Sequence, residues 1–203
     1  IYNPITDEFR QLSDTLNWAR ANHTATLLND GTVLIVGGED ENGVVGIGGG
    51  SVEIFNPDTE TFTQCSSCDL DTPRVHHTAT LLSDGRVIVI GGTDGTTYLD
   101  TTEIYYPATQ EFSPGPNLVN ARQEHTATLL SDPNQSLLVA GGRNDSGILD
   151  TAEIYDGSNF TQTNKNLTAP RVRHTATPLP DSKVLIAGGE AGGIGVNTAE
   201  LFE

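Results

Sequence analysis

The stretch that decides the fold is RVHHTATLLSDGRVIVIGGTDGTTYLDTTEIYYPATQEF, residues 74–112. A run from His77 reaches the Asp84-Gly85 turn, an apolar run Val87 to Ile90 reaches Gly91-Gly92, and a polar loop leads to Glu103-Ile104-Tyr105 and Phe112. Glycine accepts the positive φ of a tight hairpin, so the first two runs read as paired strands. An apolar run without alternation is expected of a strand covered on both faces. The same order occurs four times. His-Thr-Ala-Thr falls at His23, His77, His125 and His174, steps of about 54, 48 and 49 residues, the spacing of a repeat array. The double glycine begins at Gly37, Gly91, Gly141 and Gly188. A Glu-apolar-aromatic triplet opens at Glu53, Glu103, Glu153 and Glu200, and Phe9, Phe62, Phe112 and Phe160 end their units.

These residues resemble the kelch repeat, because the double glycine, the Glu-apolar-aromatic triplet and Arg-x-x-His recur together along essentially the whole chain. The resemblance implies an all-β, kelch-type β-propeller with four four-stranded blades, either a closed four-bladed ring or an arc of a larger propeller. Many kelch units carry tryptophan on the last strand, where this chain has Phe9, Phe62, Phe112 and Phe160. The wording His-Thr-Ala-Thr-Leu-Leu-x-Asp-Gly is similar to kelch units of bacterial secreted proteins.

Residues 1–203 read as one domain, with units at about 20–64, 74–113, 122–162 and 171–203 and a leading strand within 1–12. Ile1 to Phe9 aligns with Ile54 to Phe62 and Ile104 to Phe112. It is therefore expected to supply a lone fourth strand that completes the last blade and seals the ring. An open arc would instead leave two apolar blade faces in water. Helical periodicity is absent.

Ten Lys and Arg stand against 27 Asp and Glu, a formal charge of −17. That balance disfavours nucleic acid and anionic membrane, which both need positive surface. Basic proteins, neutral glycans and cations remain as partners. The only lysines are Lys165 and Lys183, a composition that suits an extracellular or cell-surface setting. No apolar run is long enough to cross a membrane as a helix. Cys65 and Cys68, spaced Cys-Ser-Ser-Cys, admit a small disulfide, a redox pair or half a zinc site. A disulfide fits an oxidising compartment, whereas neither a following helix nor two further zinc ligands is evident.

Arg20, Arg74, Arg122 and Arg171 each precede a repeating histidine by three residues. They are expected to pair with Glu53, Glu103, Glu153 and Glu200 and pin blade register, in preference to lining a channel as anion ligands. Period-two alternation points the four repeating histidines between blades, as core residues, and leaves His76 on the surface. Recognition is assigned to the loops, whose length varies while the strands hold their places. The loop candidates are Glu39, Asp40, Asp94, Tyr98, Arg143, Asn144, Asp145 and Glu190. Their oxygens are of the type that binds calcium, without the fixed spacing of a calcium loop, and no metal site is assigned. Of five Asn-x-Ser/Thr triplets, Asn144 and Asn166 are the candidate glycosylation acceptors. Gly46 to Gly50 is glycine-rich but opens no helix, which argues against a phosphate loop.

The residues point to a non-catalytic binding or scaffolding module for a protein or glycan, with no catalytic residue assigned. Two rivals stand beside it. Similar folds in copper radical oxidases and sialic acid mutarotases imply an enzyme, yet no position matches a copper set of two histidines with a cross-linked cysteine and tyrosine. A structural subunit that self-assembles through open blade faces is the other.

Overall fold

A computed structural model describes residues 1–44, 51–65 and 68–203. The glycine-rich Gly46 to Gly50 stretch lies outside the described residues. Three four-stranded antiparallel sheets follow one another, each in chain order. The first holds Thr24–Leu27, Val33–Val36, Val52–Asn56 and Thr61–Gln64. The second holds Thr78–Leu81, Val87–Ile90, Thr102–Tyr106 and Glu111–Pro114. The third holds Thr126–Leu129, Leu137–Ala140, Ala152–Tyr155 and Phe160–Gln162. A fourth sheet has three strands, Thr175–Pro178, Val184–Ala187 and Ala199–Phe202. Among the described residues there is no helix. The architecture is all-β, consistent with a kelch β-propeller.

Turn chemistry and burial account for the strands. In the first hairpin Gly31 adopts a φ of 87°, and the Leu28 N–H donates to the Thr32 carbonyl at 2.8 Å. The second strands of the two middle sheets are buried along their whole length because each lies between two neighbouring sheets. Val87 and Val89 face Leu28, Leu34 and Val36 of the first sheet. Ile88 and Ile90 face Leu137 and Val139 of the third. A third core joins Leu138, Ala140 and Ala152 to Val184 and Ile186 of the fourth sheet. Each valine, leucine or isoleucine among them contributes about 1.5–3 kcal/mol when fully buried. The first strands, Thr24–Leu27, Thr78–Leu81, Thr126–Leu129 and Thr175–Pro178, lie innermost and approach one another in that order.

The double glycines sit where successive sheets meet. A Cβ on Gly91 would stand 2.5 Å from the Arg122 carbonyl oxygen, and its φ of 59° is one that side chains rarely adopt. Gly141 meets the Arg171 carbonyl in the same way, at 2.6 Å.

The expected seal between the leading strand and the last sheet is not made. Glu8–Phe9 pairs with Tyr2–Asn3 in a separate hairpin. The Tyr2 and Phe9 rings lie 5.1 Å apart, Arg10 pairs with Glu60, and Asp14 accepts the Phe62 N–H at 2.8 Å. These contacts tie the leading segment to the outer turn of the first sheet. The four sheets stack in series, and among the described residues no apolar core joins the fourth to the first.

Candidate functional site

Each repeating arginine is buried and clamps its own sheet. Arg20, Arg74, Arg122 and Arg171 approach Glu53, Glu103, Glu153 and Glu200 at 2.6, 2.6, 2.7 and 2.8 Å. In the third sheet Arg122 Nη1 also donates to the carbonyls of Gly141, at 2.8 Å, and Thr151, at 3.0 Å. Glu153 accepts the N–H groups of Val119 and Asn120 at 2.7 and 3.0 Å. The clamp thereby ties the lead-in segment, the double glycine and the third strand together. Burial lowers the Arg74 and Arg122 pKa from the ordinary value, opposed by the paired carboxylate.

Three of the four repeating histidines join neighbouring sheets. Nε2 of His77, His125 and His174 meets Thr24, Thr78 and Thr126 Oγ1 at 3.0, 3.0 and 2.9 Å. Burial, with the nearby arginine, holds His77 down to about 3 and His174 to about 4, and puts His125 well below its ordinary value. These imidazoles are therefore neutral ties within the stack.

With arginine, glutamate and histidine committed to packing, the residue immediately before each repeating histidine stands apart. Asn22, His76, Glu124 and Arg173 occupy this position with φ of 54°, 56°, 56° and 54°. For a residue other than glycine this left-handed conformation is strained by about 1–3 kcal/mol. The backbone explains it, because the Glu124 N–H donates to the His76 carbonyl and the Arg173 N–H to the Glu124 carbonyl, both at 3.1 Å. The main chain is spent on linking sheets while the four side chains differ in kind.

A second variable position faces the first. The residue after each double glycine, Glu39, Thr93, Arg143 or Glu190, forms a β-bridge to Ala21, Val75, Gln123 or Val172. Side chains of the two sets meet. Asn22 Nδ2 donates to Glu39 Oε1 at 2.7 Å, with His76 Nε2 4.0 Å from the same oxygen. Glu124 pairs with Arg143 at 2.9 Å and with Arg173 at 2.6 Å, and Arg173 reaches Glu190 at 3.1 Å. Seven of these eight positions thus form two polar clusters near the innermost strands, Asn22 with Glu39 and His76, and Glu124 with Arg143, Arg173 and Glu190, while Thr93 bonds within its own loop. Three of them, Glu39, Arg143 and Glu190, were expected among the loop candidates. Thr93 was not, nor were Asn22, His76, Glu124 and Arg173, although for these four the signal was present: a changing residue immediately before the constant histidine of Arg-x-x-His.

The remaining loop candidates stand farther out. Short hairpins carry three of these loops: Glu39–Asp40 with Gly43–Val44, Arg143–Asn144 with Gly147–Ile148, and Glu190–Ala191 with Ile194–Gly195. Asp40 accepts the Asn42 N–H at 2.7 Å. Asp94 accepts the Thr96 and Thr97 N–H groups, both at 2.7 Å, which lowers its pKa. Tyr98 bridges Thr93, and Asp145 is exposed. Asn144 is half-buried and its Nδ2 donates to the Ala121 carbonyl at 3.0 Å, whereas Asn166 is exposed. Cys65 and Cys68 are joined in a disulfide. Among the described residues no three metal-ligating side chains come together.

Residues 74–119 match the family model described as Kelch motif. Two Caenorhabditis elegans proteins are similar to the chain. Kelch repeat-containing protein kel-10 is 28% identical over 144 residues, 68% of this chain and 25% of that protein. Kelch repeat and BTB domain-containing protein F47D12.7 is 29% identical over 145 residues, 68% of this chain and 24% of that protein. The chain spans about a quarter of the length of these relatives. Together the matches support the kelch-repeat family, and as nematode proteins they lend nothing to the bacterial secreted affinity.

Proposed function

From the kelch repeat that these matches support, we propose that the chain is a protein-binding module that reads its partner through the eight variable positions and the hairpins beside them. The observation that carries this reading is the pairing of a fixed, strained backbone with four different side chains at Asn22, His76, Glu124 and Arg173. Strain held in place by surrounding structure is a mark of functional positions. A protein partner is favoured over a glycan because the eight positions hold charged and amide groups and no tyrosine or tryptophan. The formal charge of −17 favours a basic partner surface, with association that weakens as salt rises. The acidic, lysine-poor composition and the Cys65–Cys68 disulfide support an extracellular setting as part of the same proposal.

The test replaces Asn22, His76, Glu124 and Arg173 together with glycine, the residue that accepts their φ without strain. Proteins bound by the immobilised native chain are quantified beside those bound by the variant. We expect partners enriched on the native chain to fall about tenfold or more on the variant. Equal recovery on both would sink the proposal.

A further inference from the structure

We propose that Asn42 is a site of spontaneous covalent modification, its side-chain amide converted through a cyclic imide to aspartate and isoaspartate. Of the fourteen asparagines in the chain, Asn42 is the one followed by glycine. Ring closure requires the backbone nitrogen of the next residue to reach the asparagine Cγ, and a Cβ on that residue obstructs the approach. Glycine has none. Asn3 and Asn56 precede proline, which lacks the N–H that the reaction consumes.

The fold leaves this junction open. Asn42 and Gly43 are exposed, and a Cβ built on Gly43 would meet nothing within 4 Å. Asn42 Nδ2 reaches Asp40 Oδ2 only at 3.4 Å, a long bond. By contrast, Asn22 Nδ2 donates to Glu39 at 2.7 Å and Asn144 Nδ2 to the Ala121 carbonyl at 3.0 Å. Gly43 is paired with Asp40 in a ladder of two rungs, the other being Glu39 with Val44, and so short a ladder opens at little cost. Nor does the turn need asparagine. Asn-Gly is favoured in hairpins where both residues take positive φ, yet of these two only Gly43 does, at 122°. The third unit makes the same turn with Ser146 before Gly147, whose φ is 116°.

The chemistry balances with water alone. The Gly43 nitrogen bonds to Asn42 Cγ, the Cγ–Nδ2 bond breaks, and ammonia leaves carrying the proton that the Gly43 N–H gives up through solvent. Water then adds to one of the two imide carbonyls. Opening at Cγ leaves aspartate in the ordinary backbone. Opening at the Asn42 main-chain carbonyl leaves isoaspartate, whose backbone runs through Cβ and Cγ and is one carbon longer. Either product places a fourth acid beside Glu39, Asp40 and Glu41. The longer backbone of isoaspartate also breaks the match of Asp40 with Gly43 that a two-residue loop sets. The Glu39 rung, on the strand bridged to Ala21, goes with that hairpin.

The experiment ages the folded native chain at neutral and at mildly alkaline pH and follows each asparagine by peptide mapping in a mass spectrometer. Isoaspartate in the peptide carrying residue 42 is counted by methylation with an isoaspartyl methyltransferase. Asn42 should convert ahead of every other asparagine, and faster at the higher pH because the attacking nitrogen must shed its proton. Asn42→Ser, which copies the Ser146-Gly147 turn, should lose both the methylation of this peptide and the added negative charge seen on isoelectric focusing. Conversion of Asn42 only when urea unfolds the chain, or more slowly than another asparagine in the folded chain, overturns the proposal. So does an aged native chain that gains no more negative charge than the aged Asn42→Ser chain.

Discussion

At the residue scale, two kinds of place coexist within Arg-x-x-His, one constant among the four units and one that changes. The histidine is buried and neutral, and its job is a single bond to a threonine across the seam. A histidine whose pKa is lowered on folding binds fewer protons in the native state than in the unfolded one. Above the ordinary value near 6.5 both states are neutral and nothing is lost. As pH falls from about 6.5 toward the folded values, about 3 for His77 and about 4 for His174, the unfolded chain takes up protons first and stability drains away. Each such histidine removes about 1.4 kcal/mol per pH unit once well below 6.5. The urea midpoint should therefore drop between pH 7 and pH 5, and His77→Gln should flatten that slope. A slope identical in native and variant chains would contradict the assignment of His77 as a neutral tie. The residue before the histidine differs in every respect: strained, partly exposed in three of four cases and chemically varied.

At the element scale, the arginine clamp sets where strands begin and which backbone groups they meet. Arg122 bonds two carbonyls and a carboxylate in a fully buried site. Removing it leaves Glu153 as a buried charge with its main partner gone, which typically costs about 3–5 kcal/mol. Arg122→Ala is expected to lose that much by urea denaturation, and Arg122→Lys to recover only part, since an ammonium lacks the planar fork. An unchanged midpoint for Arg122→Ala would show the clamp to be dispensable. The strands themselves were legible, because the Asp-Gly turns, double glycines and apolar runs are local signals. The small hairpins after the double glycine were not. Residues such as Arg143-Asn144 and Gly147-Ile148 carry no strand pattern, and they pair because the β-bridge from Gln123 to Arg143 already fixes one side.

At the scale of the whole molecule, the repeats were legible in the sequence, but not the partner that the leading strand takes. Ile1 to Phe9 aligned well enough with a third and fourth strand to suggest a seal, yet alignment is silent on which third strand Glu8–Phe9 will choose. The nearer one, Tyr2–Asn3, costs less chain ordering to reach. The variable cluster was half legible for a related reason. Glu39, Arg143 and Glu190 lie in loops of changing length, while Asn22, His76, Glu124 and Arg173 sit inside a motif whose regularity drew the eye to its fixed members. The proposed reading divides the side chains into clamps and ties that hold the sheets together and a varied set at Asn22, His76, Glu124 and Arg173, of which Glu124 is itself buried against Arg143 and Arg173. The most direct measurement is the urea midpoint, at pH 7, of the chain with Asn22, His76, Glu124 and Arg173 all replaced by glycine. Relief of left-handed strain should offset the lost ion pairs and leave stability within about 1 kcal/mol of the native chain. A loss as large as that of Arg122→Ala would mean that these four side chains hold the fold themselves.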